Sequence, residues 1–523
     1  MEDLLILNVA IIDGTGEKPF AGSISVTGDR ITHVFRDSHA NTEAKEIIDG
    51  NGLTATPGFV DTHTHSDMTL LHCGRQDSSI MQGVTCEIIG QDGLSYAPLS
   101  IENLRSYARY LKGINGQFDD VPLDFTTVRE YLGRFDGKTS VNVAYLVPHC
   151  ALRLETVGFE NKLLSRTQME KGRYLLREGL KEGAKGFSTG LSYFPGAFSN
   201  TQELIEFCKT VREEDGVYVT HLRTVFQGKP FDKVEEALEI ARQSGVKLHF
   251  SHYRTGGDTI GKPAMIMEKI DAAVHEGIDI TLELYPYRYG ASYAPMFIPT
   301  WANEGGMDDI MNRLADDKKR SIIAEYININ FADFDGVITY AGKNPKYMGR
   351  TFSELAKERS VTKGEIIAEL LYSEELALSF HDAAPAFDEE TERLFRKDIF
   401  DLLARSYYMI GSDAIHVGEY PHPRAYGAFA RLIRLAREEH FPAETLIQRM
   451  TSLPCTRFKL KDRGYLKAGC FADIVLLDIN TVTDMATDNQ PRLTAKGIHK
   501  VFVNGCMVVN NGNSTGKLPG RVL

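Results

Sequence analysis

The feature that most constrains this chain is an alternation of short apolar strands with amphipathic helices through its middle. Eight strand candidates stand out: GFVDTHTH (58–65), VTCEII (84–89), VNVAYLVPH (141–149), GAKGFS (183–188), VYVTH (217–221), VKLHFSH (246–252), IDITLEL (278–284) and YYMIGSD (407–413). Most are followed by helical periodicity, as in TQMEKGRYLLREGLKEG, TQELIEFCKTVREED and FDKVEEALEIARQSG. Such alternation implies βαβ units and a parallel sheet, and eight units predict an α/β fold of the (β/α)8, TIM-like type spanning 58–459.

Two departures from a bare barrel are legible. Residues 1–57 and 460–523 read as short strands separated by turns such as DGTGE, GDR and DGNG. Chain ends commonly lie close together, so the two are expected to meet in one small β-sandwich. More than 120 residues separate the seventh and eighth strands (284 to 407), too many for a loop, so an inserted subdomain is expected at 290–350.

Length and composition set the outer bounds. The 523 residues predict three or four structural units. The net charge of −12 disfavours a nucleic-acid groove or a binder of anionic membranes, and no run of 18 apolar residues offers a membrane span. Glu2 and Asp3 replace the basic start of an export signal. The seven cysteines are dispersed without a CxxC, which fits reduced thiols. A cytoplasmic location is expected on both counts.

In a (β/α)8 enzyme the chemistry sits at the carboxyl ends of the strands. The first candidate strand ends in His63-Thr64-His65, whose imidazoles share one face because residues two apart in a strand do. The fifth ends in His221, the sixth in His252 and the eighth in Asp413. Four histidines and a carboxylate converging from four strands compose a metal site, and imidazole with carboxylate suits zinc. Each residue alone has a plainer reading: a core or surface histidine, or a helix-capping aspartate. His149, His249, His275, His381, His416, His422 and His440 receive that plainer reading.

These residues carry a family resemblance. PGFVDTHTHSD (57–67), QGVTCEIIG (82–90), GAKGFSTGLSYFPGAFS (183–199), VTHLR (219–223), FSHYR (250–254), ELYPYRYGAS (283–292), IGSDAIHVGEYPHPRAYGAF (410–429) and LKDRGYLKAGCFADIVLLD (460–478) resemble the D-aminoacylase branch of the amidohydrolase superfamily, the N-acyl-D-amino-acid deacylases. The resemblance covers nearly the whole chain. In that branch the loop after the second strand reads Gly-Asn-Cys-Gly, with the cysteine as a zinc ligand. Here it reads Gly90-Gln91-Asp92-Gly93, so Asp92 stands where the thiolate would be, a harder ligand able to bridge metals. Cys86 is not its equivalent, and Glu87 is a second bridge candidate that reads as structural. A carbamylated lysine, used by hydantoinase-like relatives, finds no host: Lys185 lies early in the fourth strand.

The resemblance implies one or two divalent metals, zinc being the expected ion. His221, His252 and Asp92 would hold one site, and His63 and His65 the second. A bound metal lowers the pKa of its water to about 7 and so supplies hydroxide to attack the amide. Asp413 would act as general base and then general acid. No GxSxG elbow is present to support a serine route. The implied substrate is a small acylated amino acid. Arg254 occupies the position of a carboxylate-binding family lysine, and Arg424 resembles a substrate-contacting position. Arg223 and Arg288 are further candidate cations for the carboxylate, and Tyr193 and Tyr287 candidate hydroxyl donors. The segment GEYPHPRAYG (418–427) is expected to order over the substrate, and Trp301 with the aromatic run YPYRYGASYAPMF (285–297) to line the acyl pocket. The alternatives are another C–N hydrolase of the same fold (dipeptidase, cyclic amidase or deaminase) and a catalytically dead scaffold. The intact histidine set and Asp413 weigh against the scaffold.

Overall fold

The computed structural model describes every residue except 37–42, 224, 227–228, 231, 385 and 387. Its centre is an eight-stranded parallel sheet: β1 (Phe59–Asp61), β2 (Val84–Ile89), β3 (Asn142–Pro148), β4 (Gly186–Gly190), β5 (Val217–His221), β6 (Lys247–Phe250), β7 (Ile280–Leu284) and β8 (Tyr408–Ile410). The strands lie side by side in sequence order, so each helix connects neighbours. β2, β3 and β7 are buried at every position, as befits strands covered by helices on one face and filling a barrel on the other.

The barrel closes at its carboxyl end. Thr62 N–H donates to the Ile410 carbonyl (3.3 Å) and Asp413 N–H to the His63 carbonyl (2.8 Å). Just beyond them Thr64–His65 pairs in parallel with Ala414–Ile415. The first and last strands are therefore stitched together where their polar ends emerge.

The connecting helices start at sequence-encoded caps. Ser165 and Gln168 form a capping box before Arg166–Lys181, Asn200 caps Thr201–Glu213, and Asp232 caps Lys233–Ser244. These satisfied amino-terminal N–H groups fix where each helix begins.

The chain ends meet in one nine-stranded sheet. Glu2–Ile11 pairs with Phe20–Thr27 and Thr54–Pro57, and Thr54–Pro57 pairs antiparallel with Ile474–Leu477. The sheet turns back on itself, since Arg30 at its far edge bridges to Phe471 just before Ile474. Leu4, Ile6, Ile24, Ile474, Leu476 and Phe502 fill the core it encloses, separate from that of the barrel.

A third sheet joins Ala291–Tyr293, Leu378–Asp382 and Gly336–Ala341, all antiparallel, around Phe297, Phe334, Phe352 and Phe380. The inserted unit thus runs to Asp382, beyond the 350 read from sequence, because the sheet's central strand comes last in the chain. Trp301, expected to line the acyl pocket, is 43% exposed on the short helix Thr300–Asn303. No helix among the described residues is long and apolar enough to cross a membrane.

Candidate metal centre

The five strand-end residues and Asp92 converge. Two ligand groups form, His63 with His65, Asp92 and Asp413, and Asp92 with His221 and His252; within each, the ligand atoms lie inside 4.8 Å of one another. Asp92 belongs to both. Its Oδ1 is 3.6 Å from His63 Nε2, while its Oδ2 is 3.7 Å from His65 Nε2 and 3.6 Å from His221 Nδ1. Asp413 Oδ1 is 3.5 Å from His63 Nε2 and 3.4 Å from His65 Nε2. His221 Nδ1 and His252 Nε2 approach to 3.0 Å.

The backbone is bent to achieve this. Asp92 (φ 56°), His252 (φ 39°) and Asp413 (φ 52°) all occupy the left-handed region that side-chain-bearing residues seldom adopt. Three such residues in one ligand set is the concentration of strain expected where function fixes geometry.

The donor set fits a cation. His63 Nε2 and Asp92 Oδ1 are buried without a hydrogen-bond partner, an arrangement that costs free energy unless something else meets them. Burial opposes charge on His63, yet Asp92, Glu283 and Asp413 outweigh it and raise its pKa to about 10. Burial works against an ionised Asp92 too, but His63, His221 and His252 hold its pKa at about 2. Burial keeps His252 neutral, with its pKa lowered to about 4. Asp413 stays ionised well below the usual range despite burial, chiefly through Arg424, whose Nη1 lies 2.9 Å from Oδ2.

Two buried acids missing from the sequence reading support these residues. Asp61 Oδ1 accepts hydrogen bonds from the N–H groups of Ser412 (2.8 Å) and His63 (3.1 Å), and Oδ2 from the Ser412 hydroxyl (2.5 Å), tying β1 to the turn that carries Asp413. Glu283, near the end of β7, accepts from His63 Nδ1 at 2.5 Å. Its position in ITLEL was the available signal, since Thr281 and Glu283 alternate with apolar residues and must share a face. Glu87, in contrast, is held by Ser66 and Ser79 (2.5 Å each) and belongs to neither ligand group, in line with its structural reading.

The chain matches the amidohydrolase family profile over residues 46–229 and 402–509. It is 32% identical to the D-aminoacylase of Alcaligenes xylosoxydans xylosoxydans, over all of this chain and 97% of that one. A solved D-aminoacylase described as having a binuclear metal centre superposes with a TM-score of 0.81 at 29% identity, covering all of both chains. The N-acyl-D-glutamate deacylase of Bordetella bronchiseptica, solved with zinc and a phosphonate mimic of the tetrahedral intermediate, superposes at 0.79 with 27% identity, covering 100% of this chain and 99% of that one.

The chain belongs to the D-aminoacylase branch of the amidohydrolases.

In this amidohydrolase the candidate substrate groups divide sharply. Arg254 and Arg424 both lie against the ring of Tyr285, their guanidinium carbons 4.5 and 4.6 Å from its centroid. Arg254 also donates to the Tyr285 hydroxyl (3.1 Å), while its Nε is buried without a hydrogen-bond partner. Tyr193 sets its ring 4.9 Å from His221 and its hydroxyl 3.1 Å from the Ser292 hydroxyl. Arg223 is a correction: it is buried against Glu236 (3.1 Å) and the carbonyls of Ala197 and Ser199, so it is engaged in the scaffold. Arg288 is another, because it pairs with Glu392 at 3.3 Å on a neighbouring helix. Tyr287 packs on His422 and under Arg431, with its hydroxyl toward Gly427 rather than toward the ligand groups. Tyr285, the first residue of the aromatic run read from the sequence, is the tyrosine that both arginines lie against. The segment 418–427 delivers Arg424 as the first residue of the helix Arg424–Glu438.

Proposed function

We propose that this amidohydrolase hydrolyses the amide bond of N-acyl-D-amino acids, releasing a carboxylate and a free D-amino acid. The observation that carries this reading is the pair of ligand groups sharing Asp92, with Asp413 beside them and two arginines beyond. His63, His65, Asp92 and Asp413 would hold one divalent ion and Asp92, His221 and His252 another, zinc being the ion suited to this imidazole and carboxylate set. Such an ion, when bound, lowers the pKa of water to about 7 and polarises a carbonyl.

The chain's own residues do the rest. Asp413, ionised across the neutral range, accepts the proton of the attacking water as the carbon–oxygen bond forms. It returns that proton to the amide nitrogen as the carbon–nitrogen bond breaks, so the amine leaves neutral. Arg254 and Arg424, stacked on Tyr285, receive the α-carboxylate and orient the scissile amide toward Asp413. Carboxylate recognition by a planar fork is what separates an acyl amino acid from a simple amide.

A cyclic-amide reading is not favoured. Lys185 precedes β4 and lies among Cys86, Lys459 and Lys461, away from the ligand groups. A panel of N-acetyl D- and L-amino acids assayed with added zinc tests the proposal. Hydrolysis confined to the D series is expected, and preference for the L series, or turnover of neither, would remove the assignment.

A further inference from the structure

Glu283 is the most heavily engaged side chain beneath the ligand groups, and it touches no candidate substrate group. It is fully buried. Oε1 accepts from His63 Nδ1 at 2.5 Å and lies 3.4 Å from the backbone N–H of His252. Oε2 accepts from His249 Nε2 at 3.0 Å and from the Thr62 hydroxyl. One carboxylate on β7 therefore gathers donors from β6 itself and from the segments after β1 and β6. The segment after β8 makes room for it: a Cβ on Gly411 would sit 2.7 Å from Glu283 Cδ and 2.7 Å from His63 Cβ.

The pattern of donors fixes a tautomer. With Nδ1–H committed to Glu283, Nε2 is the one ring nitrogen His63 can offer a cation, as a lone pair once a bound metal has displaced the second proton that the surrounding acids favour in the metal-free protein. That atom faces Asp92 and Asp413 and has no hydrogen-bond partner. His249 supports the arrangement from the other side: its Nδ1 takes the Thr281 hydroxyl at 2.8 Å, so its Nε2 carries the proton given to Glu283. An acceptor-only group is required, because every neighbour of Glu283 named above donates to it.

We propose that Glu283 is a positioning residue for the metal centre, holding His63 in the Nδ1-protonated tautomer and thereby setting the affinity of the group formed by His63, His65, Asp92 and Asp413. This rests on the metal-site reading above. Carboxylates that orient a ligating histidine typically change metal affinity about 10–100-fold when removed. In Glu283→Gln one side-chain oxygen becomes an amide nitrogen, which must confront either His63 or the pair His249 and Thr62, donor against donor.

The test is zinc titration of chelator-treated full-length protein against a chromophoric competitor, with thermal melting as a check on folding. Wild-type protein is expected to take zinc in two steps. In E283Q one step should weaken about 10–100-fold and the other change little, a split that general destabilisation would not produce. A folded E283Q with both steps unmoved, or with both weakened alike, would overturn the inference. If wild-type protein binds no zinc, the metal reading itself fails instead. Should E283Q not fold, Thr62→Val deletes one donor to the carboxylate and keeps the charge. A loss of about three- to tenfold in the same single step is then expected, and an unchanged titration would overturn the inference.

Discussion

The barrel has a buried polar cluster at each end of its strands, and the two are built on opposite rules. At the amino end, Asn142 at the start of β3, Asp473, Arg463 and Asn504 close a network that joins barrel to terminal sheet. Arg463 binds Asp473 and the Asn504 side chain (2.7 Å), Asn504 N–H donates to Asp473 (2.8 Å), and the Asn504 amide donates to Asn142 and the Pro519 carbonyl (2.8 Å each). Every carboxylate oxygen and side-chain amide group there has a partner, and Arg463 Nε is the one atom of the network left without one. At the carboxyl end His63 Nε2 and Asp92 Oδ1 have none, and three ligand residues sit in left-handed backbone. Matched polarity locks a fold; unmatched polarity, held in place by a second layer of acids, leaves valence for something outside the chain.

Four substitutions and a pH series can break or sharpen that contrast. Asp413→Asn should lower turnover per folded molecule by about 10²–10⁴-fold, the worth of a general acid–base group. Retained turnover would show that the unmatched end does not carry the chemistry. Asp473→Ala at the amino end should do the reverse, costing about 3–5 kcal/mol in denaturant unfolding because it strands the buried Arg463, while kcat per folded molecule is kept. Next comes Arg254→Ala, expected to raise KM for an acyl amino acid about 10–100-fold, as loss of a charge-assisted hydrogen bond does. Arg288→Ala, paired with Glu392, should leave KM where it was; equal effects would erase the division drawn between them.

The smallest effect expected is in pH dependence. Burial lowers the pKa of His252 in the folded chain to about 4, against an ordinary 6.5. Between those values the unfolded chain binds more protons than the folded one, so stability falls as pH falls. In chelator-treated protein, replacing His252 with Asn should flatten the melting curve's dependence on pH between 4 and 6.5. An unaltered slope would mean that this ring is not held neutral by its surroundings.

The legibility of the two ends differed for the same physical reason. Strand ends with His63, His65, His221, His252 and Asp413 were readable because a barrel puts such residues in one place whatever lies between them. Asp92 became readable only through resemblance, since a lone aspartate in a glycine-rich turn has no periodicity. Glu283 and Asp61 were unreadable as partners: their role is set by which neighbouring strand presents a donor, which sequence spacing does not encode. Among the arginines, sequence could not separate Arg223 and Arg288 from Arg254 and Arg424. The distinction is which acid reaches them: Glu236 and Glu392 are helix residues outside the ligand groups, whereas the acid beside Arg424 is Asp413, a member of one. The inserted sheet likewise ended later than expected because its middle strand is its last.

The most direct test of the central claim is elemental analysis of the gently purified protein alongside its deacylase activity. One to two equivalents of a divalent transition metal are predicted, with activity lost on chelation and restored by zinc. Less than about 0.3 equivalents in a protein that still hydrolyses N-acyl-D-amino acids in the presence of chelator would contradict it, because a catalytic metal site must be occupied to work.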